Sequence, residues 1–396
     1  MSSLKKKILI ITPRYPIPVI GGDKLRIYNL CKALSQQFEL SLISFCETKE
    51  EMELIPNDPL FSETYKIFLP KWKSYLRSLI AYATNKPMQL GYYSSRKMRS
   101  ILIKILPSHD YVLAHLIRTG QYLENINTNC KKILEMTDAI SLNYERVKKL
   151  KNKKRNFKTF LYSIESSRLK KYEKNILYKF DLVSLVSHID KDFLTENIDC
   201  PNVQVYTNGV DVSKFELIDS SIGCDIIFIG NMRTEQNSDA CRYFALDILP
   251  KIRSIYPNIR FKIIGMTTEK FVREFSKYEG VDIVGAVDTV CNSAKNAFVA
   301  VCPLRLGAGI QNKILEYMAL GIPTITTYLG LEGINAKIGS EIIVADTTES
   351  FKDAVLEIYN NRELGRQIGL AGRRFVKENH NWENLLNGFV NTINNL

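Results

Sequence analysis

The chain has 396 residues, is 45% hydrophobic and 24% charged, and carries a formal net charge of +12. This length exceeds what one ordinary hydrophobic core encloses, so it predicts two domains. No apolar run approaches the about 20 residues of a membrane-spanning helix, and the run at 8–11 is too short for a secretory signal peptide. Eight scattered cysteines without a C-x-x-C pair are typical of reduced thiols, and the four scattered histidines argue against a structural metal site.

Strand-like apolar runs alternate with helical patterns along the chain. The predicted strands of the first series are 7–12, 39–45, 65–69, 110–115, 131–136 and 181–186. The predicted strands of a second series, after residue 211, are 225–230, 260–265, 281–285, 298–302, 323–327 and 341–345. Helical patterns such as 236–255 and 348–360 lie between them. Strands separated by helices indicate parallel sheets built from βαβ units, so we expect an α/β protein with two doubly wound, Rossmann-like domains.

The two series join near residues 207–220. We therefore predict an N-terminal domain at 1–207 and a C-terminal domain at 208–379. A last amphipathic segment at 381–394 predicts a helix, and we assign residues 380–396 to the N-terminal domain. Ligands of open parallel sheets bind outside the carboxyl ends of the strands. The loops after the first and fourth strands of each series are therefore the candidate sites.

The loop after the first strand contains Gly21-Gly22, directly before a predicted helix. Glycines allow close approach of the backbone to a ligand, and a helix N-terminus favours an anion. No G-x-G-x-x-G follows this strand, so the pattern is not a dinucleotide fingerprint. An ordinary strand-to-helix loop explains these residues equally well.

The stretch PLRLGAGIQNKILEYMALGIPTI, residues 303–325, joins a glycine turn to the start of a helix. Gly307 and Gly309 let backbone N–H groups turn toward a ligand, and the helix N-terminus adds about half a positive charge. Arg305 precedes the turn, and Lys313 lies in the first turns of the helix. Backbone donors, a helix dipole and two cations suit a diphosphate.

Glu316 does not suit a phosphate site, because a carboxylate repels phosphate. It can accept two hydrogen bonds from the vicinal diol of a ribose, and at a spacing of three residues it shares one helix face with Lys313. Diphosphate and ribose together indicate a nucleotide. The alternative is an exposed Lys–Glu pair that stabilises the helix by about 0.2–0.5 kcal/mol.

These stretches resemble the retaining glycosyltransferases of family 4, which have the GT-B fold. The resemblance covers nearly the whole chain, and its marks are GGDKLRIYNLCKALSQQFELSLIS, TNGVDVSKF, IIFIGNM and the 303–325 stretch. It is greatest with a bacterial polysaccharide-assembly subgroup. The resemblance implies two domains facing across a cleft, a nucleotide-sugar donor bound by the C-terminal domain, and hexosyl transfer without a metal or other cofactor.

In the family, two glutamates stand seven residues apart, and Glu316 occupies the second position, which holds the donor ribose. Ala308 stands at the first position, where the family glutamate contacts the donor sugar. Sugar recognition is then expected from groups around the turn and from the N-terminal domain, namely the backbone of Gly309 and Ile310 and the side chains of Gln311, Asn312 and His115.

The family's Arg and Lys pair after the FIG strand is also incomplete. Asn231, Arg233 and Asn237 are the donor-binding candidates that remain there, and Arg305 and Lys313 can supply the missing positive charge. In the family, the leaving diphosphate helps to deprotonate the acceptor, so the protein mainly neutralises the leaving group. We therefore predict Arg305, Lys313 and His115 as catalytic residues; a lost activity is the alternative.

His115 and Arg118 lie at the end of the predicted strand 110–115. The family has a histidine near this position, close to the donor sugar, although a structural histidine is the alternative. Asp138, Ser141 and Tyr144 follow the next strand. We take Arg118, Asp138 and Tyr144 as acceptor-side candidates, with Ser141 beside them, and Gly22 as a donor-side candidate.

The positive charge is confined to the N-terminal half. Residues 66–104 contain nine Lys/Arg and no acid, and residues 145–179 contain thirteen Lys/Arg and three acids, whereas residues 217–396 have a net charge of −1. Aromatic residues interleave with the basic ones in the first tract, which suits an anionic membrane surface. A solvated basic face is the alternative. No nucleic-acid-binding motif accompanies the charge.

The sequence therefore predicts a retaining glycosyltransferase that moves a sugar from a nucleotide to a lipid-linked or membrane-associated saccharide in surface polysaccharide synthesis. We expect a cytoplasmic protein at the inner face of the cell membrane, attached mainly by electrostatic attraction. The alternatives are a nucleotide-sugar epimerase or a phosphorylase of the same fold, and a non-catalytic protein that binds anionic membranes or nucleic acid.

Overall fold

The computed structural model describes residues 5–19, 21–54, 60–151, 157–196, 198–287, 289–307 and 309–396, without the side chains of 149–151 and 157–162. The chain divides into two compact units. The N-terminal unit comprises Met1–Tyr206 and Leu386–Leu396, and the C-terminal unit comprises Thr207–Leu385. Each unit contains one parallel sheet with helices, so the predicted α/β class with two doubly wound domains is confirmed.

The sheet of the N-terminal unit has seven parallel strands in the order β3-β2-β1-β4-β5-β6-β7. These strands are β1 (Lys7–Thr12), β2 (Glu39–Cys46), β3 (Glu63–Phe68), β4 (Tyr111–His115), β5 (Lys131–Thr137), β6 (Leu182–Leu185) and β7 (Val203–Val205). Ile8 pairs with Leu40 of β2 on one side and with Tyr111 of β4 on the other. The strand order reverses between β1 and β4, which is where an open sheet opens a crevice for a ligand.

The helices of this unit connect successive parallel strands. They are α1 (Gly22–Ser35), α2 (Lys49–Glu53), α3 (Lys71–Ala83), α4 (Met88–Tyr92), α5 (Arg96–Ile105), α6 (Ile117–Gly120), α7 (Ile140–Lys151), α8 (Phe157–Leu177) and α9 (His188–Thr195). The inner strands are buried on both faces, and Ile8 to Ile11 of β1 have no exposed surface, whereas the edge strand β3 is largely exposed. This burial explains why the strands read as continuous apolar runs in the sequence.

The sheet of the C-terminal unit has six parallel strands in the order β10-β9-β8-β11-β12-β13. These strands are β8 (Asp225–Ile229), β9 (Arg260–Ile264), β10 (Val281–Gly285), β11 (Ala297–Cys302), β12 (Thr324–Thr326) and β13 (Ile343–Val344). Here the order reverses between β8 and β11. All six strands of the second predicted series are present, with β13 shorter than expected.

The helices of the C-terminal unit follow the same alternation. They are α10 (Glu235–Tyr243), α11 (Leu249–Arg253), α12 (Glu269–Phe275), α13 (Val290–Ala294), α14 (Asn312–Ala319), α15 (Tyr328–Leu331), α16 (Thr348–Asn360) and α17 (Arg362–Asn379); α18 (Trp382–Asn394) ends in the N-terminal unit. A single π-helical segment at Phe244–Ile248 divides the predicted helix 236–255 into α10 and α11.

Helix α14 is held close to α17. A methyl group on Gly369 of α17 would lie 2.0 Å from the carbonyl oxygen of Gly321, which follows α14. Only a residue without a side chain permits this approach, so α17 fixes the C-terminal end of α14.

Across the part of the chain that the structure describes, no helix combines the length and the apolar character that a bilayer crossing requires.

Candidate functional site

The candidate site of the C-terminal unit lies where β8 and β11 end, at the reversal of the strand order. The loop after β8 leads into α10, and the loop after β11 leads through residues 303–311 into α14. Gly309 has φ 65°, in the left-handed region that favours glycine. The predicted donor-binding loops are therefore neighbours in this sheet. Ala308 lies outside the described residues.

Lys313 is the most unusual charge in this site. Its side chain is nearly buried, and Nζ donates a hydrogen bond to Oε1 of Gln311 at 3.1 Å. Nζ also lies 5.7 Å from the ring centroid of Phe228. Among the described residues, Lys313 forms no ion pair. A nearly buried ammonium group that forms no ion pair is costly, so this position favours an anionic ligand.

Glu316 lies one turn along α14 from Lys313. Burial raises the pKa of its carboxyl to about 7, although the nearby Lys313 acts in the opposite direction. Its side chain accepts no hydrogen bond from the described residues. A half-buried carboxyl without a donor is suited to accept hydrogen bonds from a ligand.

The side chain of Arg305 is held by an ion pair with a residue of α10. Its guanidinium donates two hydrogen bonds to Asp239 of α10, at 3.0 and 2.8 Å, and lies 4.5 Å from the ring centroid of Tyr243. Its side chain remains 40% exposed. Asp239 therefore offsets part of the positive charge that was predicted to face a diphosphate. This pairing was not predicted, because Asp239 and Arg305 are 66 residues apart in the chain.

The loop after β8 is stabilised by its own asparagines. Asn231 accepts a hydrogen bond from the backbone N–H of Arg233 at 3.1 Å, and the buried Asn237 donates to the carbonyl oxygen of Asn231 at 3.0 Å. Oδ1 of Asn237 is buried without a partner. The side chain of Arg233 is exposed. Asn237 thus supports the loop, and Arg233 is the cation of this loop that a ligand can reach.

Two contacts that the sequence analysis missed fix α14. The backbone N–H of Ile229, at the end of β8, donates to the hydroxyl of Tyr317 at 2.7 Å. Nδ2 of Asn208 donates to Oδ1 of Asn312 at 2.9 Å. Gln311 and Ile310, both predicted to serve the donor, are buried directly before the helix. The helix that carries Lys313 and Glu316 is therefore held from two sides.

The candidate site of the N-terminal unit centres on Glu135, at the end of β5. Its carboxylate accepts a hydrogen bond from Nε of Arg26 at 2.6 Å and pairs with Nδ1 of His115 at 2.5 Å. All three side chains are at most 2% exposed. Burial alone would raise the pKa of Glu135, but the charge of Arg26 and the hydrogen bonds from His115 and Arg26 outweigh it and lower the pKa to about 2.

This network orients His115. Because Nδ1 of His115 faces an ionised carboxylate, Nδ1 carries a proton and donates a hydrogen bond to Glu135. The other ring nitrogen, Nε2, points away from this contact. Nε2 is buried and has no partner. The backbone around the network is strained, since Leu116 and Thr137 have φ 64° and φ 67°. The predicted His115 is thus aimed by Glu135, a residue that the sequence analysis did not identify.

The acceptor-side candidates are dispersed around this network. Nε of Arg118 donates to Oε1 of Gln89 at 3.0 Å. Burial and the like charge of Asp190 raise the pKa of Asp138 to about 7, against the effect of Arg118. Tyr144 is half-buried against the core. Ser141 is fully buried and its hydroxyl donates to Glu173, so it does not offer a group to a ligand.

The loop after β1 contains the other predicted glycine pair. Gly21 has φ 99° at the N-cap of α1, and Gly22 is the first helical residue. A residue with a side chain would be strained at Gly21. The loop therefore requires glycine for its own geometry, whether or not a ligand binds there.

Among the described residues, no group of three or more His, Cys, Asp or Glu side chains is placed to hold a metal ion. The expectation of a metal-independent reaction stays a prediction.

Comparison with known proteins shows which proteins this chain is similar to. Residues 223–361 match the family described as Glycosyl transferases group 1. The chain is 22% identical to an uncharacterized 44.6 kDa protein in the cps region of Klebsiella pneumoniae, over 94% of this chain and 96% of that protein. It is also 22% identical to an uncharacterized glycosyltransferase of Methanocaldococcus jannaschii, over 96% of both chains.

Solved structures agree with this class at the level of the fold. Sucrose-phosphate synthase from Thermosynechococcus elongatus superposes with a TM-score of 0.75 at 14% identity, over 99% of both chains. Anabaena HepE, in complex with UDP and glucose, superposes with a TM-score of 0.70 at 10% identity, over 98% of this chain and 99% of that one. The two units have the fold of solved GT-B glycosyltransferase structures. The match at residues 223–361 and the glycosyltransferase relatives support a transferase enzyme.

Proposed function

We propose that the protein is a retaining, hexosyltransferase-type glycosyltransferase of family 4 that takes its sugar from a nucleotide-sugar donor. The observation that carries the proposal is the pair on α14, a buried Lys313 without an ion-pair partner and a Glu316 carboxyl without a hydrogen-bond donor. A donor diphosphate would supply the anion, and a donor ribose would supply the two hydroxyl donors. UDP in the HepE complex supports a nucleotide as the ligand.

The roles of the remaining residues follow from this assignment. Gly307, Gly309 and the first turn of α14 direct backbone N–H groups toward the diphosphate. Arg233 adds an exposed cation. Glu135 orients the ring of His115, as a positioning residue. The leaving diphosphate removes the acceptor proton, so catalysis consists of neutralising the leaving group and aligning the acceptor.

The proposed acceptor is a lipid-linked or membrane-associated saccharide, in the synthesis of a surface polysaccharide. The relative in the cps region supports a role in polysaccharide synthesis. The acid-free basic tract 66–104 supports a cytoplasmic protein on the inner face of an anionic membrane, with residues 145–179 as a second tract. Part of the second tract, 152–156, lies outside the described residues.

A screen of nucleotide sugars by thermal shift tests the donor. A donor at 100 times its dissociation constant should stabilise the protein by about 2.7 kcal/mol, and the free nucleoside diphosphate should reproduce part of the shift. Release of the nucleotide with transfer of the sugar supports a transferase. Recovery of an epimerised nucleotide sugar instead would establish the epimerase, and no shift with any donor would overturn the proposal.

Replacing Glu316 with glutamine should weaken donor binding by roughly tenfold to a hundredfold, because a charge-assisted hydrogen bond contributes about 1.5–3 kcal/mol. Calorimetric titration of the nucleotide sugar measures the change. Glu357→Gln, an exposed position on α16, is the matched control and should leave affinity unchanged. Unaltered nucleotide affinity in Glu316→Gln would remove the ribose assignment.

The same substitution should stabilise the protein without ligand. Because the pKa of Glu316 is higher in the folded chain than in the unfolded chain, the folded state binds more protons, and ionisation of Glu316 lowers stability as pH rises from about 4.5 to about 7. Glu316→Gln should therefore raise the melting temperature at about pH 8, and the gain should shrink toward pH 5. A gain that does not depend on pH would show that the ionised carboxyl is not its cause.

A further inference from the structure

Helix α3 exposes its large apolar side chains and buries its small ones. Ser74, Ser78 and Ala81 are its buried residues. The exposed residues form what we call the α3 apolar face: Trp72 (67% exposed), Tyr75 (62%), Leu76 (53%), Leu79 (62%) and Ile80 (56%). An amphipathic helix of a water-soluble protein has the opposite orientation. Among the other described residues of the N-terminal unit, the large exposed apolar residues, such as Ile198, are separated from one another in the sequence.

Packing against α4 fixes this orientation. A methyl group on Gly91 of α4 would lie 2.5 Å from the carbonyl oxygen of Arg77 and 2.6 Å from Cβ of Ala81. The hydroxyl of Ser78 donates to the carbonyl oxygen of Met88 at 3.0 Å. The close approach of the two helices requires small residues between them, so the α3 apolar face cannot turn inward without breaking this contact.

Basic groups border the α3 apolar face. A cavity of about 600 Å³ lies at the start of α3 and α5. Its lining includes the cations Lys73, Arg77, Arg96 and Lys97, two serines and three apolar residues of the segment 67–70. No acidic side chain lines it. A terminal nitrogen of Arg77 donates to the carbonyl oxygen of Ser94 at 2.6 Å, which holds this cation at the cavity. Apolar and aromatic side chains beside cations that form no ion pair with the described residues match the boundary between the acyl chains and the phosphates of an anionic bilayer.

We propose that α3 lies in the plane of an anionic phospholipid membrane, with the α3 apolar face inserted among the acyl chains and the basic cavity on lipid phosphates. This inference deepens the proposed function, on which its biological meaning rests, because it names the element that brings the enzyme to a membrane-bound acceptor. It also revises the expected attachment. Burial of apolar surface adds a contribution that salt does not screen, so attachment is not electrostatic alone.

Trp72 reports the insertion directly. The chain has two tryptophans, and Trp382 is only 7% exposed, so the exposed Trp72 should account for a change in emission on lipid binding. With vesicles of phosphatidylglycerol and phosphatidylcholine, we expect a blue shift and quenching by lipids brominated on the acyl chain. Part of the binding should persist at 1 M salt, where the Debye length is about 3 Å. The Trp72→Phe variant should still bind the vesicles, but its emission should not show the blue shift.

Variants separate the two contributions. The double variant Leu76→Ser and Leu79→Ser should weaken vesicle binding by roughly tenfold or more, since two large apolar side chains no longer enter the lipid. Arg96→Gln with Lys97→Gln should instead remove the preference for phosphatidylglycerol over pure phosphatidylcholine vesicles. Ile198→Ser and Ile222→Ser, at exposed apolar sites outside α3, are the matched controls and should bind as the unaltered protein does. Circular dichroism verifies that each variant is folded.

Three results would overturn the inference: no blue shift in the unaltered protein, full release of bound protein by salt, or a dimer in solution that the leucine double variant dissociates. The last would assign the α3 apolar face to a second copy of the chain. None of these assays requires a sugar donor. Loss of glycosyl transfer with vesicle binding retained would therefore count against the proposed function alone.

Discussion

Replacing Lys313 with alanine is expected to lower turnover by roughly a hundredfold to a thousandfold, with a much smaller rise in the donor KM. The Nζ group is nearly buried and forms no ion pair with the described residues. The charge on the leaving diphosphate grows as the glycosidic bond breaks. A fixed cation in a dry site then stabilises the transition state more than the bound donor.

Initial rates across donor concentrations measure both constants for this variant. Lys337→Ala, an exposed position in the same unit, is the control and should leave them unchanged. Arg305→Ala should reduce turnover less than Lys313→Ala, because Asp239 already offsets the charge of Arg305. If only the donor KM moved in Lys313→Ala, the ammonium group would be a ground-state contact and its assignment to the leaving group would be wrong.

Replacing Glu135 with glutamine is expected to lower the free energy of unfolding by about 3–5 kcal/mol at neutral pH, since it leaves the buried Arg26 without its carboxylate. Because the pKa of Glu135 is lowered to about 2 in the folded chain, its stabilisation is present above its ordinary pKa of about 4.5 and is lost as pH falls toward 2. The difference between the two proteins should therefore narrow under acidic conditions. Urea unfolding at several pH values measures it.

Glu53→Gln, exposed on α2, controls for the loss of one carboxylate and should change stability by no more than about 0.5 kcal/mol. The role of Glu135 in positioning His115 has its own readout. In the folded molecules of the Glu135→Gln variant, the pH profile of turnover should shift, because the negative charge that faces Nδ1 of His115 is gone. A stability loss as small as that of the control would show that Arg26 does not depend on this carboxylate.

Much of the fold was visible in the sequence because parallel strands buried on both faces form continuous apolar runs. Helix α16 was predicted with the observed bounds, and Thr347 and Ser350 form a capping box at its start. Strand β7 was missed because Val203–Val205 is too short to form a recognisable run. The division of 236–255 at Phe244–Ile248 was missed because the sequence retains a helical pattern through the π-helical segment.

The candidate site was visible only where its residues are close in sequence. Lys313 and Glu316 stand three residues apart on one helix, so local spacing was sufficient to propose them. Glu135 stands 109 residues from Arg26, and their contact depends on the order of the strands that separate them. Asp239 and Arg305 are likewise 66 residues apart. Pairs of this kind are created by topology, and single-sequence spacing does not contain them.

The contact between Gly369 and Gly321 makes the chain's tolerance to mutation uneven along α17. A methyl group at position 369 would push against the segment that ends α14, and Lys313 and Glu316 would move with that helix. A survey of random variants would therefore score position 369 as severely as an active-site residue, although its effect reaches the site only through α14. Exposed positions on the same helix, such as Lys377, carry no such restriction. During natural or laboratory evolution of this enzyme, the exposed residues of α17 can therefore change, whereas position 369 must remain glycine.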